Sequence, residues 1–219
     1  MPCGTTGEGV LLDEDEAIAV IQATVEAAGG EAKVLAHVGR ASTAGTVRLA
    51  TQALDEGVEG ISALVPHFYT YSEEQLLRHF LAVMDAAGGA PAYAYTLPKR
   101  TGNDLSAEAV RTLAQHGLAG VKDSTKSWER HLEYLACTID VLIGTDAFVL
   151  QAFKAGAVGC VSALANVRPD LFCALRDGAG EVVQEEILRL RKALPMQGLK
   201  AAVAERVPGY PIAYRAPLG

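Results

Sequence analysis

The chain has 219 residues, half of them hydrophobic and 21% charged, a length and balance that suit one large globular core. Its formal net charge is -7 with no offsetting block of Lys and Arg, which argues against nucleic acid as the main partner. No apolar run reaches the ~18 residues that a membrane-spanning helix needs.

The N-terminus carries no basic region followed by an apolar core, so a cytoplasmic location is expected. Cys3, Cys137, Cys160 and Cys173 are scattered without a Cys-x-x-Cys pair. They are expected to be buried small hydrophobes rather than disulfides or zinc ligands.

Pro2-Cys3-Gly4 reads as the end of a strand and leads into Gly4-Thr5-Thr6-Gly7-Glu8. The span from Lys33 to Val38 is the first complete predicted strand, and Ser42 caps a helix to about Glu56. Gly60 to Val65 is the next strand, followed by a helix opened by Ser72 and carrying Leu76, Leu77, Phe80, Leu81 and Met84. Pro91 to Tyr95 is the third, and Ser106 caps the helix containing Val110 and Leu113. Leu118 to Val121 is the fourth, closed by Lys122 and followed by a helix through Trp128, Leu132 and Leu135. Val141 to Ile143 and Ala157 to Val161 are the fifth and sixth, with helices at Phe148 to Phe153 and Pro169 to Leu175. Two more helices are expected, Val182 to Leu194 and Met196 to Arg206.

Continuous apolar strands separated by amphipathic helices predict a parallel sheet covered by helices. The regular repeat points to an α/β fold of the (β/α)8 TIM barrel type, and no Gly-x-Gly-x-x-Gly fingerprint follows a strand. Six full strands stand where a closed barrel has eight. The barrel is therefore expected to lack its first β/α unit and most of the second strand. Residues 1–178 are read as the partial barrel and 179–219 as a C-terminal helical segment.

Reactive groups of such barrels sit at the C-terminal ends of the strands. Lys122 is one of seven lysines and closes a buried apolar run, where lost hydration favours the neutral, nucleophilic amine. Such an amine forms a Schiff base with a carbonyl. Tyr95, at another strand end, can pass protons. Gly4-Thr5-Thr6-Gly7 offers backbone N–H groups and hydroxyls to a carboxylate. His37 and His67 lie at strand ends without an acidic cluster, so no metal is expected. His79, His116 and His131 fall on helices and are expected at the surface, while Asp123 faces away from Lys122 and reads as structural.

Gly4-Thr5-Thr6-Gly7-Glu8, Tyr95-x-x-Pro98, Gly120-Val121-Lys122-Asp123 and Gly144-x-Asp146, in that order, resemble the signatures of the dihydrodipicolinate synthase/N-acetylneuraminate lyase family. The resemblance covers nearly the whole chain, to Arg215-Ala216-Pro217-Leu218. It implies a class I, pyruvate-dependent aldolase, commonly a homotetramer, that works through a covalent imine without a cofactor. By position, Lys122 resembles the Schiff-base lysine and Tyr95 the proton-shuttling tyrosine, with Thr5 and Thr6 as carboxylate-binding and relay hydroxyls. The resemblance gives Lys122, Tyr95 and Thr6 catalytic roles, and gives Gly4, Thr5, Arg100, Gly144 and Asp146 substrate-binding roles.

The stretch from Ala119 to Tyr134 and the ending from Gly209 to Pro217 are most similar to 2-keto-3-deoxygluconate-type aldolases. The implied reaction is reversible cleavage of a 2-keto-3-deoxy sugar acid to pyruvate and an aldehyde. Three alternatives stand: 4-hydroxy-tetrahydrodipicolinate synthase, which joins pyruvate and aspartate semialdehyde, a dehydratase using the same lysine, and a non-catalytic keto-acid-binding relic. Against the first, the position of the synthases' intersubunit tyrosine is occupied by Phe68.

Overall fold

Each strand pairs in parallel with its predecessor, so sequence order and sheet order coincide. The computed structural model describes residues 1–195 and 198–218. Among them, β1 (Leu35–His37), β2 (Gly60–Leu64), β3 (Ala92–Thr96), β4 (Gly120–Asp123), β5 (Asp140–Ile143) and β6 (Gly159–Cys160) form the sheet. The helices are α1 (Glu14–Ala28), α2 (Thr43–Asp55), α3 (Glu73–Ala86), α4 (Pro98–Thr101), α5 (Ala107–Gln115), α6 (Trp128–Leu135), α7 (Val149–Ala155), α8 (Pro169–Arg176), α9 (Glu181–Ala193) and α10 (Leu199–Ala204). The sheet with its helices is an open half-barrel of the TIM-barrel kind.

Local chemistry explains where the helices begin. Ser42, Ser106 and Ser127 each accept a backbone N–H three residues on. Asp13 with Glu16, and Ser72 with Gln75, add the reciprocal bond of a capping box.

The strand period of two then sorts side chains by face. Ala36, Ile61, Ala63, Ala94, Val121 and Val141 join Leu49, Phe80, Leu113 and Tyr134 of the helices in one buried cluster. The opposite face carries His37, Ser62, Leu64, Tyr95 and Lys122, linked by the register His37↔Ser62, Leu64↔Tyr95 and Tyr95↔Lys122. A second cluster unites Ile143, Val149, Phe172, Ile187 and Leu199, so α9 and α10 pack beside the last strands.

Several expectations need correction. Pro2-Cys3-Gly4 is a turn rather than a strand end, although the Pro2 carbonyl accepts the His37 N–H at 3.1 Å. Cys3 has a φ of 57°, outside the extended region that strand pairing requires. The fourth strand runs past Val121 and includes Lys122 and Asp123, because the ladder to β3 and β5 continues through both.

His79 and His131 are buried, not at the surface. His79 Nδ1 meets Thr43 Oγ1 at 2.9 Å, and His131 Nδ1 meets Asp123 Oδ2 at 2.9 Å beneath the stacked Trp128 ring. Such partners let a polar ring face the core side of a helix. Cys173 is exposed on α8, whose apolar stripe is made instead by Leu171, Phe172 and Leu175. The expected helix start at Met196 lies outside the described residues; the described helix there is α10.

Candidate active site

Lys122 owes its position to tight packing around β4. A Cβ on Gly120 would lie 2.4 Å from the Asp140 carbonyl oxygen and 2.6 Å from the Tyr93 ring, so only glycine permits this approach. Tyr93 then donates to Asp140 at 2.7 Å across the strand. A Cβ on Gly144 would lie 2.1 Å from Ser124 Oγ, which ties the end of β5 to the end of β4 in the same way.

Asp123, on the opposite face from Lys122, is fixed from three sides. Its Oδ1 accepts from Thr125 N at 2.9 Å and Thr125 Oγ1 at 2.7 Å, and its Oδ2 meets His131. Residues that hold one face of a strand fix what the other face presents.

The Lys122 side chain is 6% exposed, and its Nζ lies 3.8 Å from the centre of the Tyr95 ring. Burial pushes the amine down to about 7. At neutral pH a large share of the protein therefore carries the free amine. Burial of Tyr95 raises its phenol above the ordinary value, while the Thr5 and Ser124 hydroxyls and the Arg100 charge work the other way. The Tyr95 hydroxyl and Thr5 Oγ1 lie 3.2 Å apart.

The glycine loop is a closed turn. Glu8 N–H reaches the Thr5 carbonyl at 3.3 Å and Gly9 N–H reaches the Gly4 carbonyl at 3.2 Å. Glu8 anchors it from outside: its carboxylate pairs with Lys200 at 2.5 Å and accepts the Arg215 N–H at 2.7 Å.

The fold thus gathers Lys122, Tyr95 and Thr5, with Gly4 in the same turn as Thr5 and the Arg100 charge acting on Tyr95. Thr6 is in the turn too, but the hydroxyl that meets Tyr95 belongs to Thr5. Gly144 donates its N–H to the Asp123 carbonyl at 2.7 Å. Asp146 is held against α9, with Oδ2 3.4 Å from Arg191 Nε and its own carbonyl accepting from Gln184. Burial raises its carboxyl, opposed by Ser162, Arg191 and Lys126.

Ser124, expected at a strand end beside Lys122 but given no role there, follows directly on β4, and its hydroxyl acts on the Tyr95 phenol. Among the described residues no three His, Cys, Asp or Glu side chains converge as a metal site would require.

A parallel β/α half-barrel carrying a buried amine against a phenol at its strand ends defines a class, the TIM-barrel lyases that work on carbonyl compounds. The family follows from comparison: the model of the dihydrodipicolinate synthetase family matches residues 1–209, and the chain belongs to that family. Its members are pyruvate-dependent class I lyases acting through a lysine Schiff base, without metal or cofactor.

The 4-hydroxy-tetrahydrodipicolinate synthase of Geobacter metallireducens is 34% identical over 225 residues, covering 100% of this chain and 75% of that protein. The crystal structure of dihydrodipicolinate synthase from Aquifex aeolicus matches with a TM-score of 0.91 at 28% identity, over 100% of this chain and 79% of that one. A prophage protein of the dihydrodipicolinic acid synthase family from E. coli, solved in complex with pyruvate, matches with a TM-score of 0.90 at 25% identity, over 99% and 79%.

Proposed function

We propose that Lys122 forms the imine with pyruvate and that the protein catalyses reversible aldol cleavage of a 2-keto-3-deoxy sugar acid. The observation that carries the reading is the desolvated Lys122 amine lying against the Tyr95 ring, with Thr5 on the phenol. The amine adds to the C2 carbonyl of pyruvate to give a carbinolamine. Loss of water leaves an iminium, and loss of a C3 proton gives an enamine. The enamine carbon attacks an aldehyde and forms the C–C bond; hydrolysis then frees Lys122. The cleavage direction reverses these steps.

Tyr95 carries the protons, with Thr5 as its hydrogen-bond partner and Thr6 beside it in the turn. Gly4 and the turn's N–H groups take the pyruvate carboxylate. Arg100, Gly144 and Asp146 bind the part of the substrate beyond C3.

Phe68 favours a sugar-acid aldehyde over aspartate semialdehyde. It has no hydroxyl, is 84% exposed and keeps a φ of 81° that side chains rarely adopt. Phe68 and the adjacent Tyr69 stack edge to face at 4.9 Å and present apolar surface suited to a second copy of the chain, in a cytoplasmic homo-oligomer. The synthase reading remains the rival, supported by the names of relatives such as the Geobacter protein.

Borohydride reduction in the presence of pyruvate, followed by mass spectrometry, should place the adduct on the peptide containing Lys122. An unmodified Lys122 in folded protein refutes the mechanism. Turnover with pyruvate and glyceraldehyde, and none with aspartate semialdehyde, selects the sugar-acid reading; the opposite pattern selects the synthase.

A further inference from the structure

His37 belongs to none of the roles above, yet it is the most unusual polar group on the inward face. It is 2% exposed, and neither ring nitrogen makes a well-formed hydrogen bond, the nearest backbone polar groups acting on the ring being those of Cys3 and of His37 itself. Its register partner on β2 is Ser62, which is fully buried and whose Oγ also lacks a partner. The His37 ring stands perpendicular to the Tyr95 ring at 5.9 Å between centroids. Tyr95 thus carries Lys122 on its face and His37 as a perpendicular neighbour.

Three buried polar atoms without partners are costly, at about 1–3 kcal/mol each when nothing satisfies them. The register sets His37 and Ser62 side by side on the inward face, with the His37 ring against Tyr95. A neutral imidazole supplies one donor and one acceptor, and a hydroxyl supplies both. Together they can hold a single water in whichever orientation its chemistry demands.

We propose that His37 and Ser62 form the site for the water molecule that imine formation releases and imine hydrolysis consumes. The proposal rests on the Lys122 reading. When the carbinolamine collapses, the C2–O bond breaks, the oxygen leaves with its own proton and one delivered through Tyr95, and the water moves onto His37 and Ser62. In the reverse step the same water adds to C2 and returns a proton to Tyr95. Burial first, then the charges of Lys122 and Arg40, push the imidazole down to about 3 against the opposing backbone groups of His37 and Cys3. It therefore stays neutral and adds no second cation beside the iminium. His37 is in this sense a positioning residue, acting through the bound water.

The test is rapid-quench borohydride trapping with pyruvate on the parent and on His37→Phe, His37→Gln and Ser62→Ala. His37→Phe keeps an aromatic ring against Tyr95 and loses both nitrogens; it should form imine at least tenfold more slowly, by analogy with the loss of other proton-transfer groups. His37→Gln, which restores a donor and an acceptor, should recover to within a few-fold of the parent. Ser62→Ala should slow the same step, and the double variant should be slower by less than the product of the single effects. Folded His37→Phe with the parental rate, or His37→Gln as slow as His37→Phe, overturns the proposal. If His37→Phe does not fold, Ser62→Ala decides, and a parental rate there overturns it. Absence of trapping at Lys122 in the parent is a different failure and strikes the imine reading itself.

Discussion

Tyr95 and Lys122 are register partners on β3 and β4, and the lysine Nζ rests 3.8 Å from the centre of the tyrosine ring. The ring excludes water from one side of the amine, and the residue as a whole is only 6% exposed. The lowered basicity of Lys122 follows from this placement, and it can be read in solution.

The rate of trappable imine formation with pyruvate should therefore rise through pH 7 and level off above it. The free amine is the attacking species, and its folded-state value is about 7 rather than 10.5. Rapid-quench rates from pH 5.5 to 9 measure this. A rate still climbing towards pH 10 would mean that Lys122 is solvated.

Tyr95→Phe keeps the ring under Lys122 and removes the hydroxyl that meets Thr5. Turnover should fall by about 10²–10⁴, the usual span for a lost acid–base group. Stability should change by only about 1 kcal/mol, the scale of one hydrogen bond. Thr5→Val should reduce turnover more than Thr6→Val, because of the two threonines it is Thr5 that meets the phenol. Steady-state rates with denaturant titrations on all three variants test the assignment.

Lys122→Met should be inactive and more stable than the parent, by an amount on the order of 3 kcal/mol at pH 6. Below pH 7 the parent must keep an ammonium in a dry site, whereas the variant does not. Between pH 7 and 10.5 the folded parent has shed its proton while the unfolded chain still holds one, so parental stability rises with pH across that window. The gap should narrow there. A gap that is constant in pH would contradict the buried-amine account.

His79 gives the opposite end of the pH scale. Burial lowers its imidazole to about 4, against 6.5 for an exposed one. Its contribution is complete above pH 6.5 and is lost as the pH falls towards 4, since the unfolded chain takes up the proton first. His79→Gln should lose stability more gently in that range, by about 1.4 kcal/mol per pH unit at most. Urea titrations at pH 4.5, 5.5 and 7 compare the two slopes.

The sheet was legible in the sequence because each strand is a short apolar run bounded by helix caps such as Ser42, Ser72 and Ser106. Lys122 stood out for the same reason, as a charge at the end of such a run. What could not be read were pairings between distant residues. That Thr5 rather than Thr6 meets Tyr95 depends on how the turn sits against β3, across 90 positions of chain. His131 looked like a surface residue because its partner, Asp123, lies on a strand and not on its own helix. His37 gave no signal beyond its place at a strand end, since its isolation from partners exists only once β1 and β2 are paired.

The Glu8 clasp makes one carboxylate answerable to residues at the far extremity of the polypeptide, with the Arg215 amide 207 positions away. The tail thereby braces the Gly4-Thr5-Thr6-Gly7 turn. With the turn taking the carboxylate as proposed, wear on that brace, whether by a nick between Arg206 and Arg215 or by drift at Lys200, would register as poorer capture of the keto acid before any helix melts. On that proposal, constraint on this distant stretch of chain is constraint on affinity.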